Sequence, residues 1–288
     1  MTQQTQSDAP PNKAEVLRQL LTGPEILVTP CPYDALSAKL AVEAQFKALF
    51  VGGYAAAAAR FASPDIGLMS QTEMLETARS VIRAAEGVPV LVDGDTGYGE
   101  AANIRRTILD LAQAGAAAVM IEDQVWPKRC GHLDGKMVVP RTEAVGRIEA
   151  AVRASEETGN RILIVARTDA RDCEGLDEAL TRVRAFADVG ADVLFMESPA
   201  TEREMEAFVG STNRPTLANM LPGGKTPILP PARLQEIGFA MAVYPISLLG
   251  AAAAAVRSSL AALRDNSEPP LGMSHGELLE LTGYEDLG

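Results

Sequence analysis

The feature that most constrains this chain is a succession of short apolar, β-type runs, each separated from the next by an amphipathic helical stretch. The runs are ILVT at 26–29, ALFV at 48–51, VPVLVD at 88–93, AVMIE at 118–122, RILIVAR at 161–167, DVLFME at 192–197, PTLAN at 215–219 and FAMAVYP at 239–245. Between them lie segments such as TEMLETARSVIRAAEG, NIRRTILDLAQAGA and LDEALTRVRAFADVGA, most of which end at a glycine suited to stop a helix. Continuous apolar runs mark parallel strands buried on both faces, and parallel neighbours need crossover connections. Eight such units predict a (β/α)8 TIM barrel, in preference to an open doubly wound sheet.

The barrel is expected over 13–264, with a polar, proline-containing disordered tail at 1–12 and a C-terminal tail at 265–288. The 288 residues suit one such domain, since barrels of this kind commonly take roughly 250 residues. A net charge of -12 opposes binding to nucleic acid or anionic membranes, which requires clustered Lys and Arg. An anionic substrate therefore needs local positive charge or a metal. The alanine run Ala251–Ala255 is too short and interrupted to span a bilayer. Cys31, Cys130 and Cys173 lack disulfide or zinc spacing, so a cytoplasmic, reducing location is expected.

Barrel enzymes carry their chemistry at the C-terminal ends of the strands. Here those ends bear Gly52 and Gly53, Asp93 and Asp95, Glu122 and Asp123, Arg167 and Asp169, Glu197, Asn219, and Tyr244 with Pro245. Polar residues begin at any strand end, which accounts for part of the pattern. So many carboxylates around one mouth repel one another unless a cation sits among them. With oxygen donors and no strand-end histidine, Mg2+ is favoured, with Mn2+ as the alternative. In DGDTGYG an extended chain points Asp93 and Asp95 to one side, toward a shared ion.

The loop QVWPKRCGHLDGKMVVP after the fourth run is the longest one expected to be structureless, and loops of that length are usually lids, binding loops or disordered. Within it, Lys128 and Arg129 next to Cys130, with His132 beyond, are expected to lower the thiol pKa toward neutrality. Cys31, Cys173 and His275 are read as inert. A Cys–His hydrolase is disfavoured, because the i, i+2 spacing of Cys130 and His132 makes direct contact awkward.

At these residues the chain resembles the isocitrate lyase/phosphoenolpyruvate mutase superfamily, in its 2-methylisocitrate lyase and 2,3-dimethylmalate lyase branch. The matching stretches are GGY at 52–54, SPDIG at 63–67, VDGDTGYG at 92–99, IEDQVWPKRCGH at 121–132, ARTDA at 166–170 and NMLPGGKTP at 219–227. The resemblance implies that Asp95 ligates Mg2+ directly while Asp93, Asp65, Glu122 and Lys128 support the ion or its waters. It implies a substrate pocket of Gly52, Gly53, Tyr54, Asp95, Gly131, Arg167, Glu197, Asn219 and Pro245. Cys130 is then the general acid on a mobile lid, with Lys128, His132, Glu122 and Arg167 as further catalytic residues.

The implied reaction is cleavage of a 2-hydroxy dicarboxylate, 2,3-dimethylmalate or a related alkylmalate, to pyruvate and a carboxylate. Alternatives on the same scaffold are a 2-methylisocitrate lyase, an oxaloacetate hydrolase or decarboxylase, and a carboxyphosphonate or phosphonate phosphorylmutase; a non-catalytic metal-binding barrel is the fourth. The oxaloacetate branch tends to carry Ser where this chain has Pro245. The dimethylmalate branch usually carries Glu where this chain has Pro222 and Ser where it has Gly52. The resemblance further implies a homotetramer, a dimer of dimers, with the eighth helix swapped between subunits.

Overall fold

A computed structural model of the chain describes residues 12–284. All but the last residue of the expected N-terminal tail therefore lies outside the described residues. Eight parallel strands form the barrel wall: β1 Leu27–Pro30, β2 Leu49–Val51, β3 Val90–Asp93, β4 Ala118–Glu122, β5 Leu163–Thr168, β6 Val193–Met196, β7 Thr216–Asn219 and β8 Met241–Tyr244. Each falls on one of the apolar runs. The hydrogen-bonded order is β1-β8-β7-β6-β5-β4-β3-β2, and β1 and β2 approach each other with Cα atoms within 8 Å but form no ladder among the described residues. The chain is thus an α/β barrel of the TIM type, nearly closed.

The strand pleat divides the core in two. Leu49, Val51, Val90, Val92, Val119, Ile121, Ile164 and Leu194 face outward, into a layer shared with the surrounding helices. Those helices, among them Gln71–Ala84, Ala101–Gln113, Arg141–Glu156 and Leu176–Asp188, turn their apolar stripes inward. Phe50, Leu91, Met120, Val165, Phe195, Leu217 and Val243 face the barrel interior. The first helix, Lys13–Leu21, adds Ala14, Leu17 and Leu21 to that interior cluster. Burying each such large side chain stabilises the fold by about 1.5–3 kcal/mol.

Two elements depart from this compact scheme. The helix after β8, Ser247–Arg264, has no buried residue, and Val256, Leu260 and Leu263 on it are more than half exposed. The segment expected to be a C-terminal tail carries a helix, His275–Thr282, opened by a Ser274–Glu277 capping box and set against the helix Ala35–Glu43. No helix among the described residues is long and apolar enough to cross a membrane.

Candidate active site

The site follows from the strand period. Two residues beyond each inward-facing Phe50, Leu91, Met120, Val165, Phe195, Leu217 and Val243, the same face carries Gly52, Asp93, Glu122, Arg167, Glu197, Asn219 and Pro245. Parallel strands end at one rim, so these side chains converge. Above them lies a cavity of about 440 Å3, lined by Gly52, Gly53, Tyr54, Asp65, Asp93, Cys130, Gly131, His132, Arg167, Glu197, Asn219 and Pro245. Asp95, Glu122 and Lys128 are buried but do not line it. A larger groove, about 710 Å3, runs beside Tyr98 and Trp126 and contains none of these groups.

One wall is acidic. Asp95 sits at φ 48°, so the chain after β3 turns instead of extending as expected, and the Asp95 N–H donates to Asp93 Oδ1 at 3.0 Å. The two carboxylates are brought together by this turn. Asp93 Oδ2 accepts from the Gly53 N–H at 3.1 Å, so that amide is not free for a substrate carboxylate. The helix that this amide opens, Gly53–Phe61, has no side-chain cap on Gly52, which leaves the next N–H groups, of Tyr54 and Ala55, open toward an anion.

Lys128 lies between Asp65, 2.7 Å away, and Asp95, with which it forms an ion pair. Burial pushes the Asp95 carboxyl up to about 6; the nearby Asp93 and Asp65 charges add to this and Lys128 opposes it. Burial also pushes Glu122 well above the usual carboxylate range, against the pull of Arg167 and Lys128. Among the described residues no three His, Cys, Asp or Glu side chains converge as a metal cage. The expected four-carboxylate set is therefore split: Asp65 and Asp95 turn to Lys128, and Glu122 to Arg167 at 3.3 Å. Even so, Glu122 Oε1 is buried without a hydrogen-bond partner and the nearby Asp95 Oδ1 has Lys128 as its partner, an arrangement that still suits a hard ion held by one or two carboxylates and its own waters.

The opposite wall is built on Arg167. Its guanidinium reaches Asp169 at 2.8 Å, Glu197 at 3.1 Å and Glu122 at 3.3 Å, and stacks 5.3 Å over the Phe195 ring. Burial pushes the Glu197 carboxyl up, but Arg167 and a hydrogen bond from His132 outweigh this and hold it below the usual range. Asn219 donates to the same carboxylate at 3.3 Å.

The loop after β4 is ordered, not structureless: Gln124 bridges Val138, and the Val139 N–H donates to the Asp123 carbonyl at 2.9 Å. The expected activation of Cys130 does not occur. Lys128 is committed to Asp65 and Asp95, and Arg129 is exposed to solvent. Burial then raises the thiol pKa above its ordinary value, helped by Asp65 and Glu197 and opposed by the His132 N–H and Arg167. Cys130 is a protonated thiol facing the cavity. The expectation for the other thiols holds in direction: burial pushes Cys31 far up and Cys173 up to about 11.

Sequence reasoning missed Lys136, whose amine is buried against Asp169, and Ser198, which donates to the Gly131 carbonyl at 3.0 Å. Neither belongs to a recognisable motif. It also missed the apolar wall of Leu133, Leu221, Val243 and Ile246, for which the loop and strand composition gave no signal.

A family model described as phosphoenolpyruvate phosphomutase matches residues 17–264. The chain belongs to this family. It is 40% identical over 281 residues to 2,3-dimethylmalate lyase of Eubacterium barkeri, covering 96% of each chain. It is 38% identical to 2-methylisocitrate lyase of Bacillus subtilis, covering 93% of this chain and 89% of that one. Among solved structures, oxaloacetate acetylhydrolase in complex with the inhibitor 3,3-difluorooxalacetate superposes with a TM-score of 0.93 at 33% identity, covering 97% of this chain and 96% of that one. A phosphonopyruvate hydrolase complex with oxalate and Mg++ superposes with a TM-score of 0.84 at 28% identity, covering 96% of both.

Proposed function

We propose that this family member is a magnesium-dependent carbon-carbon lyase, with Mn2+ as the alternative ion. Its substrate is a 2-hydroxy dicarboxylate of the 2,3-dimethylmalate type, released as pyruvate and a carboxylate. The observation that carries this reading is the protonated Cys130 thiol facing a cavity whose two walls are an acidic cluster and the Arg167 cation. The likeness to 2,3-dimethylmalate lyase supports the substrate class.

Asp95 would hold the ion directly, with Asp93, Asp65 and Glu122 on its waters and Lys128 offsetting their charge. A bound Mg2+ would supply Lewis acidity toward the 2-hydroxyl and its adjacent carboxylate. Arg167, Asn219 and the open N–H groups at the start of helix Gly53–Phe61 orient the substrate carboxylates. Cys130 delivers a proton to the carbon that loses its bond, and a thiol above its ordinary pKa keeps that proton available. Tyr54, Gly131 and the apolar residues around Pro245 enclose the cavity and exclude water. Pro245 offers no side-chain donor to a hydrated ketone, which disfavours oxaloacetate hydrolysis despite the structural likeness to that enzyme.

The exposed apolar side chains of helix Ser247–Arg264 fit exchange of this helix between subunits in a cytoplasmic homotetramer. The reaction is tested by a lactate dehydrogenase-coupled pyruvate assay on alkylmalates, 2-methylisocitrate and oxaloacetate, with and without EDTA. The expected result is pyruvate from an alkylmalate, abolished by EDTA. No pyruvate from any of them, or turnover indifferent to EDTA, removes the reading.

A further inference from the structure

Lys136 stands six residues past Cys130 and takes no part in the chemistry described above, yet its amine is fully buried. An ammonium is removed from water only where partners compensate it. Its Nζ donates to the Gly131 carbonyl and to Asp169 Oδ1 at 3.1 Å, and lies 3.7 Å from Asp172 Oδ2. Ser198 Oγ donates to the same Gly131 carbonyl at 3.0 Å. The Gly131–His132 peptide, one residue past Cys130, is thus held by two side-chain donors.

That peptide has no slack. A Cβ on Gly131 would stand 2.4 Å from Arg167 Nη2 and 2.5 Å from Glu197 Oε2, so only glycine lets the loop approach this closely. Asp169 meanwhile accepts from Arg167 at 2.8 and 3.1 Å. One carboxylate therefore joins the cation lining the cavity to the cation gripping the thiol-bearing loop.

We propose that Lys136 is a positioning residue: together with Ser198 it fixes the Gly131 carbonyl, and so sets Cys130 over the cavity in register with Arg167. The kinetic consequence rests on the lyase reading, while the structural consequence does not. The test compares full-length wild type, Lys136→Met and Ser198→Ala by steady-state kinetics on the preferred alkylmalate. It also measures iodoacetamide alkylation with and without oxalate, mapped by peptide so that Cys130 is read apart from Cys173, whose thiol donates to the Lys136 carbonyl.

For Lys136→Met, kcat should fall about 100-fold with KM within about threefold, as expected when a reacting group is misplaced by about 1 Å. Cys130 alkylation in oxalate should rise about tenfold as the loop loosens. Ser198→Ala leaves every charge in place and should move both readouts the same way by a smaller factor. It decides the matter if Lys136→Met fails to fold cooperatively. Should folded Lys136→Met, or in its absence Ser198→Ala, leave kcat and Cys130 alkylation unchanged, the proposal is overturned. If wild type yields no pyruvate, the lyase reading fails separately, and the alkylation data still judge Lys136.

Discussion

The Nδ1 of His132 accepts a hydrogen bond from the backbone N–H of Lys225 at 3.0 Å. The ring proton is thereby placed on Nε2, 3.1 Å from Glu197 Oε1. Asn219 Nδ2, 3.4 Å from Nε2, then faces a donor and makes its bond to Glu197 instead. In this arrangement His132 orients the Glu197 carboxylate.

This tautomer depends on Gly224, where a Cβ would come within 2.5 Å of His132 Nδ1. Gly224→Ala should displace the ring and lower kcat/KM by about tenfold or more, the scale of a small misplacement in a positioned site. A long-range 1H–15N spectrum of the wild-type ring should show the Nε2–H form. An Nδ1–H signal would contradict the geometry.

Removing the thiol should separate binding from proton delivery. Cys130→Ser should reduce kcat by about 10²–10⁴-fold, the usual range for a lost general acid, with little change in KM. Because burial raises the thiol pKa, the alkylation rate of Cys130 should reach half-maximum at a higher pH than for an exposed cysteine. A midpoint near neutrality would restore the activated-thiol expectation.

Arg167 is the shared partner of Glu122, Asp169 and Glu197. Arg167→Met leaves three buried carboxylates without it, and should lower unfolding stability by about 3–5 kcal/mol as well as activity. Urea denaturation checks the first effect. A loss below about 1 kcal/mol would mean that the carboxylates protonate or find water at little cost.

Added Mg2+ should stabilise the wild-type fold by about 2.7 kcal/mol at a hundredfold excess over its dissociation constant. Asp95→Asn should blunt the rise in Tm, whereas a distant change such as Glu236→Gln should not. An equal Tm shift in Asp95→Asn would place the ion elsewhere.

A pH effect is expected at the pair Arg171–Glu204, which joins the segment after β5 to the helix Glu202–Val209. The Arg171 hydrogen bond lowers the Glu204 pKa, burial works against it, and the Ala200 N–H assists. A depressed folded value contributes stability above the unfolded pKa of about 4.3, lost as pH falls through the folded value. Glu204→Gln should therefore cost about 1 kcal/mol at pH 7, kept small by solvent screening, and that difference should shrink toward zero below about pH 4. Urea midpoints across this range are the measurement.

The barrel was legible because buried parallel strands must be apolar throughout, as AVMIE and DVLFME are, and a period of two then carries Met120 into Glu122 and Phe195 into Glu197. The loop chemistry was not. Adjacent cations in a sequence carry no direction, and here Lys128 turns toward Asp65 and Asp95 while Arg129 faces solvent. The same limit applies to Asp95, whose left-handed backbone cannot be read from an Asp-x-Asp spacing. Lys136 escaped notice because its acidic partners, Asp169 and Asp172, are brought to it only by tertiary folding.

Arg167 pairs in register with Glu122 on β4 and with Phe195 on β6, and its ion pairs extend across all three strands. A slip of one residue between any two of them would send the guanidinium into the outer layer among helices. Partial refolding that recovers helical content and compactness therefore yields no catalysis. Regained turnover after denaturation reports that the strands have found their correct pairing, a more exacting criterion than circular dichroism or hydrodynamic radius supplies.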